Sequence, residues 1–264
     1  MSQSQFATFP GNLRPWDIKT KKIGIMIKKH WFSVSILWIL IGALSAGTCL
    51  AQVNGNGKVV KETRQLSGFK AISVKTAIHL FVSQGSEEKV VVETDENILP
   101  FLVTKVTEGK LDVFVKGNVN NSKEMNVYVT VKQLNELDAS SAAKVKSEGK
   151  LEADDLRIAA TSGSSVEIGV SCKSLELKSS SGSASVITGS AISLRAEGSS
   201  GSAIVTSDLK AEKGELDASS GAAFVVQVTK EVRAHASSGG QISISGNPAS
   251  RDTDSSSGGS VSFK

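Results

Sequence analysis

Seven charged residues recur through the second half of the chain at intervals of 18 to 21 residues, and their signs alternate between acid and base. Each lies six residues before the small residue that closes a Ser-Ser-Gly-like motif. A repeat of this length that carries one fixed motif is typical of a solenoid. The charged positions are Glu136, Arg157, Glu176, Arg195, Glu215, Arg233 and Asp252, and the closing positions are Ala142, Gly163, Gly182, Gly201, Gly221, Gly239 and Gly258.

Hydrophobic and polar residues alternate within each repeat, which is the pattern of a strand with one face turned inward. Positions five and seven residues before the closing residue are predicted to point inward, so the charged column between them faces water. A second inward stripe is predicted to follow the motif. The predicted inward residues are Leu137, Leu156, Ile158, Leu175, Leu177, Leu194, Ala196, Leu216, Val232, Ala234 and Thr253 before it, and Val145, Val166, Ile168, Ile187, Ile204, Phe224, Val226, Ile242, Ile244, Val261 and Phe263 after it.

Parallel coils stack about 4.8 Å apart and place equivalent side chains above one another. A column of like charges would repel, whereas alternating signs give each carboxylate a cation neighbour, worth ~0.2–1 kcal/mol per exposed pair. Burial of one Val, Leu or Ile side chain contributes more, ~1.5–3 kcal/mol. The charged column is therefore expected to fix the register of the coils more than their stability, because a slip of one residue would expose the aliphatic residues.

Hydroxyl residues occupy both positions before the closing residue in all seven repeats. One interpretation is structural: short hydroxyls satisfy backbone amides at a bend, and glycine allows a positive φ or a close approach of the next coil. The other is functional: a double row of hydroxyls forms a surface for glycans. The residues are Ser140, Thr161, Ser180, Ser199, Ser219, Ser237 and Ser256, each followed by a second serine, Ser141, Ser162, Ser181, Ser200, Ser220, Ser238 and Ser257.

The region before the regular repeats, residues 59–133, contains short β-branched segments separated by turn residues. This composition predicts either irregular early coils or a small antiparallel layer that caps the solenoid. Residues 52–58 have the composition of turns and are expected to form a flexible lead-in to a β-helix domain that spans 59–264, with regular coils over 134–264. Strands are predicted at 69–74, 77–83, 89–93, 101–106, 110–115 and 125–131.

Residues 1–51 form a leader with six basic residues and one acidic residue. From Met26 onward, basic residues precede an apolar run, and Cys49 and Ala51 are small enough to flank a cleavage site, which predicts a signal peptide cut after Ala51 and a true start at Met26. The alternative is an uncleaved membrane anchor. Both predict export, to the periplasm, the outer membrane surface or the extracellular space. The remaining 24 basic and 25 acidic residues predict no nucleic-acid partner.

The Ser-Ser-Gly coils, the stretch Arg-Gln-Leu-Ser-Gly-Phe-Lys-Ala-Ile at 64–72 and Asn-Val-Tyr-Val-Thr at 126–130 resemble the putative auto-transporter adhesin head GIN domain family of Bacteroidetes-type envelope proteins. The resemblance spans residues 58–263. It implies a right-handed single-stranded parallel β-helix, a secreted or surface location and an adhesin-like role, with no established catalytic residues. Because no membrane barrel follows Lys264 in this sequence, self-translocation is not expected.

The residues that most often carry chemistry are few in the mature chain. Cys172 is its single cysteine, so no disulfide is expected. His79 and His235 are far apart in sequence, which argues against a zinc site. His235 has Asp217 and Asp254 as neighbours in adjacent coils, an arrangement that suits a solvated salt bridge better than a hydrolase, since no Gly-x-Ser-x-Gly motif is present. We predict no catalytic, cofactor-binding or metal-binding residues and no cofactor.

The sequence therefore predicts a non-enzymatic solenoid that serves as an adhesion surface, with a cell-surface glycan or an envelope protein as its partner. One alternative is a polysaccharide-processing enzyme, in which charged residues of 84–124 converge beside the coils. Another is a structural module that self-associates through its open final coil, residues 261–264. An outward column of Val186, Val205 and Val225 would either dock a partner or be turned inward by local bulges.

Overall fold

The computed structural model describes residues 52–264, so the leader, with its predicted signal peptide or anchor, lies outside the described residues. Residues 52–264 form strands, turns and bends and contain no α-helix. No helix in this range is therefore long and apolar enough to cross a membrane. The predicted all-β solenoid with coils of about 19 residues is confirmed, because consecutive coils pair in parallel through the whole repeat region.

The strands, numbered in chain order, divide into an N-terminal group and a group that follows the repeat. The first group is β1 (Val53–Asn54), β2 (Val59–Arg64), β3 (Ala71–Val74), β4 (His79–Gln84), β5 (Lys89–Asp95), β6 (Leu102–Thr107), β7 (Lys110–Val115), β8 (Val119–Asn121) and β9 (Met125–Val131). The second is β10 (Glu136–Ala139), β11 (Lys144–Ala160), β12 (Ser165–Ser179), β13 (Ala184–Gly198), β14 (Ala203–Ala218), β15 (Ala223–Ala236), β16 (Gln241–Ser245), β17 (Ser250–Ser255) and β18 (Ser260–Phe263).

Each coil has one extended segment before the Ser-Ser-Gly turn and one after it, and we call these segments legs. We call the stack of legs that precede the turn the charged face; it contains β7, β3, β10, the second halves of β11 to β15, and β17. We call the stack of legs that follow the turn the second face; it contains β9, β4, the first halves of β11 to β15, β16 and β18. The register on the charged face is the predicted one, since all seven members of the charged column are direct partners from Glu136 to Asp252.

The core lies inside the coils and includes the predicted inward residues, together with further buried residues in the middle of the long strands, such as Leu151, Val170 and Leu209. All of the predicted inward residues up to Ile244 are buried. Thr253 is exposed and Val261 and Phe263 are only partly buried, because the last coil is covered on one side only. Gly198 and Phe224 have complementary sizes: a Cβ atom on Gly198 would lie 2.3 Å from Cε1 of Phe224, so the aromatic ring fills the volume that the glycine leaves.

The last coil carries a charge at an inward column position. Arg251 is the register partner of the buried Val232, and its guanidinium lies 4.3 Å from the centroid of the Phe263 ring. The same side chain donates hydrogen bonds to the Pro248 carbonyl and to Oδ1 of Asn247. Within residues 52–264 strand β17 pairs on one side only, and an inward-pointing charge on such a strand is one way in which β-proteins protect an unpaired sheet edge.

The turns are tight and repeat the same geometry. The second serine and the glycine both have positive φ, at 48–54° for the serines and 69–79° for the glycines. The residue after the glycine donates a backbone hydrogen bond to the first hydroxyl residue, for example Ser202 N–H to the Ser199 carbonyl at 3.2 Å. Positive φ at both central positions with this hydrogen bond defines a type I′ turn, which explains the glycine. Neighbouring turns are also linked, as by the Gly182 N–H to the Ser200 carbonyl at 3.1 Å.

The N-terminal part stacks in an order that differs from the sequence. Strands β3 and β4 form a coil whose turn has positive φ at Thr76 and Ala77. This coil pairs with β10 and β11 on one side and with β7 and β9 on the other, although β7 and β9 come later in the chain. Antiparallel strands then cover the end of the stack, with β6 on β7, β5 on β9 and β2 on β5. The region therefore contains both coils and an antiparallel layer.

Residues 52–58, expected to be flexible, are tied to the domain. Strand β1 pairs with β8. The carboxylate of Asp95, which is fully buried, accepts hydrogen bonds from the backbone N–H groups of Gly57 and Lys123. A buried carboxylate is stable when backbone donors satisfy it, so Asp95 holds the segment in place.

Candidate binding surface

The charged face presents two outward columns that run along the stack. Column one is the predicted series from Glu136 to Asp252. Column two lies two residues further along each leg, where side chains return to the same face of a strand. The sequence predicted three of its members, Asp217, His235 and Asp254, as neighbours in adjacent coils, but not the rest of the column. Its members are Asp138, Ala159, Lys178, Glu197, Asp217, His235 and Asp254.

Ion pairs within column one join three of its six consecutive steps rather than every step. Each arginine contacts one acidic neighbour in the column. Within residues 52–264, no ion pair joins the other three consecutive pairs of the column. The three pairs are Arg157 Nη1 to Glu136 Oε1 at 3.4 Å, Arg195 Nη1 to Glu215 Oε2 at 3.0 Å and Arg233 Nε to Asp252 Oδ2 at 3.0 Å.

Column two supplies one of the three missing links, that between Glu176 and Arg195. Nζ of Lys178 lies 3.1 Å from Glu176 and 3.2 Å from Glu197, and Nε of Arg195 lies 3.0 Å from Glu197. The network therefore crosses between the columns. The hydrogen bond from Arg195, followed by that from Lys178, holds the pKa of the Glu197 carboxyl below its ordinary value. Hydrogen bonds to Glu176 and Glu197 raise the pKa of Lys178.

Lys110 extends the charged network at its N-terminal end. It lies in register with Ala71, which in turn lies in register with Glu136. Because Ala71 has only a methyl side chain, Nζ of Lys110 reaches past it to Glu136 at 2.8 Å and to Asp138 at 2.6 Å. These hydrogen bonds, that to Asp138 first, raise the pKa of Lys110. The repeat spacing gives no signal for this residue, because the intervening coil comes from earlier in the chain.

A shallow groove of about 470 Å³ runs between column two and the first hydroxyl row. Cationic side chains line one end and carboxylates line the other. Hydroxyl groups line one long side. The charged lining residues are Arg157, Lys178, Glu197 and Asp217, and the hydroxyl residues are Thr161, Ser180, Ser199 and Ser219, with Ser179 also contributing.

The hydroxyls of the Ser-Ser pairs do not satisfy the backbone of the turn, so that part of the structural interpretation is wrong. The type I′ turn and the links between neighbouring turns already provide backbone partners. Among the Ser-Ser pairs of the described chain, only the Ser219 hydroxyl donates to a backbone carbonyl, that of Gly198 at 3.5 Å. In three coils the serine that follows the closing residue donates instead to a backbone carbonyl of the preceding coil. Ser164 donates to the Ala139 carbonyl, Ser183 to the Ala160 carbonyl and Ser202 to the Ser179 carbonyl.

A family model described as "putative auto-transporter adhesin, head GIN domain" matches residues 68–248. The chain belongs to this family. The match covers both the out-of-order N-terminal coils and most of the regular ones, so the family relationship is not limited to the simple repeat. Family membership and the solenoid fold support a non-catalytic, adhesin-like role. No curated protein matches the chain.

Several solved structures are similar to this GIN-domain chain. A "putative adhesin" from Bacteroides fragilis NCTC 9343 is 18% identical, with a TM-score of 0.76 over 80% of this chain and 100% of its own. A "putative adhesin" from Parabacteroides merdae ATCC 43184 is 20% identical, with a TM-score of 0.68 over 81% and 99%. A "putative lipid binding protein" from Parabacteroides distasonis ATCC 8503 is 18% identical, with a TM-score of 0.62 over 81% and 100%. At these identities the similarity shows the fold alone.

The second face of this GIN domain carries the predicted valine column. Val186 and Val225 are 37% and 40% exposed and are linked in register through Val205. The outward interpretation is confirmed, and the suggestion that bulges turn these valines inward is wrong. A parallel column of alanines makes the patch wider. These are Ala184, Ala203 and Ala223.

The surroundings of Cys172 and His235 favour a structural role for these residues over a catalytic one. Burial, with the charge of Asp155, raises the pKa of the Cys172 thiol to about 11, so the thiol stays protonated at neutral pH and is a poor nucleophile. Nδ1 of His235 lies 3.1 Å from Oδ2 of Asp254, and both side chains are well exposed, as a solvated pair would be. Within residues 52–264, no three His, Cys, Asp or Glu side chains are grouped so that they could hold a metal ion.

The enzyme alternative required charged residues of 84–124 to converge beside the coils, and two carboxylates of this segment, Asp95 and Glu93, are instead engaged in contacts with the surrounding strands. Asp95 binds backbone N–H groups, as described above. Glu93 accepts a hydrogen bond from the Tyr128 hydroxyl at 2.8 Å, and this bond lowers the pKa of Glu93. The same bond raises the pKa of Tyr128. These contacts join neighbouring strands of the N-terminal part.

Proposed function

We propose that this protein is exported and acts at the cell envelope as a non-catalytic adhesin that binds an extended glycan along the groove of the charged face. One observation carries the proposal: a row of turn hydroxyls borders two columns of charged side chains, and within residues 52–264 only the Ser219 hydroxyl of this row has a protein hydrogen-bond partner. Family membership supports the adhesin-like role. The leader, with its basic residues, apolar run and small residues before Gln52, supports export.

The geometry of the groove favours a long ligand over a short one. Equivalent groups on successive coils repeat about every 4.8 Å, so an elongated, hydroxyl-rich chain meets a new donor and acceptor at each coil. A single neutral hydrogen bond contributes only ~0.5–1.5 kcal/mol. Useful affinity therefore requires contacts with several coils at once. The ionised side chains beside Ser180 and Ser199 add stronger hydrogen bonds than hydroxyls alone would give.

A glycan array probed with the purified full chain tests the proposal. The double variant Ser180→Ala with Ser199→Ala removes two groove hydroxyls, and it should weaken binding of extended oligosaccharides about ten-fold. The matched control is Ser237→Ala with Ser256→Ala, which removes hydroxyls at the same turn position outside the groove. Binding to no glycan, or equal loss in the two double variants, would overturn the proposed groove. Recovery of the protein from the cytoplasmic fraction would overturn export.

A further inference from the structure

Two aromatic rings stack on the second face, on adjacent strands of the out-of-order part. Phe81 on β4 is the register partner of Tyr128 on β9. Their ring centroids are 5.0 Å apart and the ring planes differ by 15°. Both side chains are partly exposed. One face of the Phe81 ring is thus covered by Tyr128, and the other is directed toward Lys146, the register partner of Phe81 on the next coil.

A cavity of about 200 Å³ lies on the side of Phe81 away from Tyr128. It crosses three coils, because its lining comes from β4, β11 and β12. The cavity is smaller than those that hold drug-sized ligands, roughly 300–1,000 Å³, and is suited to a single sugar ring. An aromatic face carries partial negative charge and attracts the partly positive C–H groups on one side of such a ring. The lining side chains are His79, Phe81, Lys144, Lys146, Ser165 and Glu167.

The charges around the cavity are not balanced. Lys146 is paired with Glu167, with Nζ to Oε1 at 3.2 Å. Lys144 is exposed and forms no ion pair with any residue in 52–264, and His79 is its register partner. A free ammonium group beside an imidazole favours a ligand that carries a carboxylate. Ser165 and Glu167 supply further partners for sugar hydroxyl groups.

We propose that this cavity binds one carboxylated sugar ring, a hexuronic acid unit, with its C–H face against Phe81 and its carboxylate at Lys144. The site lies on the face opposite the glycan groove and does not depend on it. The same chemistry is present in a free hexuronate and in a hexuronate unit within a glycan chain, and the experiment separates these sources.

Saturation-transfer NMR with the full chain tests the site, using methyl β-glucuronide, methyl β-glucoside and a glucuronate-containing tetrasaccharide as probes. The glucuronide should bind about ten-fold more tightly than the glucoside, because only the glucuronide can form a charge-assisted hydrogen bond. In the Ser180→Ala, Ser199→Ala variant, in which binding in the groove is weakened, tighter binding of the tetrasaccharide than of the monosaccharide would assign the natural ligand to a glycan chain, whereas equal binding would assign it to the free sugar.

Two kinds of variant locate the binding. Phe81→Leu keeps an apolar side chain but removes the ring face, and it should weaken glucuronide binding about ten-fold, as should Phe81→Ala. Lys144→Gln should reduce glucuronide binding to the level of the glucoside. Phe114→Ala, which removes another partly exposed aromatic residue, and Lys132→Gln, which removes an exposed lysine elsewhere, should leave binding unchanged.

The outcomes separate this site from the groove. Glucuronide binding that is absent, or that Phe81→Leu and Lys144→Gln leave unchanged, overturns the proposed site while the groove proposal stands on its own array result. Glucuronide binding that survives the Ser180→Ala, Ser199→Ala double variant but not Phe81→Leu supports the site, even where the array shows that the groove binds no glycan.

Discussion

The regular coils of residues 134–264 and the N-terminal part of residues 59–133 are built from the same unit, two legs joined by a tight turn, yet they differ in how sequence order relates to stacking order. In the regular coils, the next coil in space is the next in sequence. In the N-terminal part, the coil of β3 and β4 is inserted between coils that come later in the chain. The coils pair in parallel and in register in both regions, whereas the spacing of the sequence repeat predicts which residues are in contact only in the regular coils.

The turns show the same contrast. Six of the seven regular turns use Ser-Gly at the two positions with positive φ and the first uses Ser141 and Ala142, whereas the turn of the inserted coil uses Thr76 and Ala77. The inserted turn still makes the same link to its neighbour, through the Ala77 N–H to the Ser141 carbonyl at 2.9 Å. Stacking against neighbouring coils therefore imposes the turn geometry even where the local sequence does not favour it.

The largest effect is expected from truncation within the inserted coil. Ile72 is fully buried and lies in register between Leu111 and Leu137. Ile72→Ala should lower the free energy of unfolding by about 2–5 kcal/mol, measured by chemical denaturation, because the core cannot collapse around the cavity. Ile192→Ala, at a side chain that is 51% exposed, should change it by less than about 0.5 kcal/mol. Similar small effects at both sites would mean that the inserted coil is not part of the core.

The charged column of the regular coils is tested by reversing one charge. Arg195→Glu places acids in three consecutive coils, at 176, 195 and 215, and removes the contacts with Glu197 and Glu215. The melting temperature should fall by roughly 2–4 °C for a domain of this size. Lys210→Glu, at an exposed lysine with no ion pair in the described chain, is the matched control and should have a smaller effect. Equal decreases in the melting temperature of the two variants would contradict a stabilising ion-pair network on the charged face.

The link between the two regions is tested at Lys110. Lys110→Ala leaves Glu136 and Asp138 without one of their cations, and it should cost about 0.2–1 kcal/mol, because the three side chains remain partly exposed to screening solvent. A double-mutant cycle with Glu136→Gln should give a non-zero coupling energy. Lys75→Ala, at an exposed lysine of the neighbouring turn, should show no coupling with Glu136→Gln, and coupling of equal size would contradict the specific contact.

The smallest effect is expected from acid titration of Glu197. Arg195 and Lys178 lower the pKa of this carboxyl in the folded state, so the folded state binds fewer protons than the unfolded chain. Its contribution is therefore present above the unfolded pKa of roughly 4.3 and is lost as the pH falls through the lower folded value. Glu197→Gln should have a flatter stability profile than the wild type below pH ~5 in denaturation experiments. Parallel profiles would contradict the role of this residue.

Much of the fold could be predicted from sequence because the regular coils keep one charge column, one turn motif and two inward stripes at nearly constant spacing. Register and burial follow directly, as at Leu177 and Ile204. The ion pairs that cross between the two columns could not be predicted from the sequence, because Lys178 and Glu197 belong to a second column whose residue types are irregular. Side-chain length decides which carboxylate a lysine reaches, and the spacing of the repeat does not specify this.

The candidate site was predicted less completely. The hydroxyl rows were visible in the sequence, but the type I′ turn leaves most of their side chains without backbone partners. The aromatic pair was not visible, since Phe81 and Tyr128 are 47 residues apart and meet only because the inserted coil stacks on β9. Stacking of segments that are distant in sequence leaves no periodic signal in the sequence. Contacts between such segments can therefore be identified only from a structure.

Disulfide trapping tests the out-of-order stacking most directly. In a background with Cys49 and Cys172 replaced by serine, the pair Ala71→Cys with Glu136→Cys places two thiols on adjacent parallel strands, within the Cα separation of roughly 4.4–6.8 Å that a disulfide requires. The pair Ala71→Cys with Arg157→Cys lies one coil further apart and serves as the control. Insertion of the β3–β4 coil predicts a cross-link in the first pair and none in the second, as read by mass spectrometry of the oxidised, digested protein. A cross-link between positions 71 and 157, or none at 136, would contradict it.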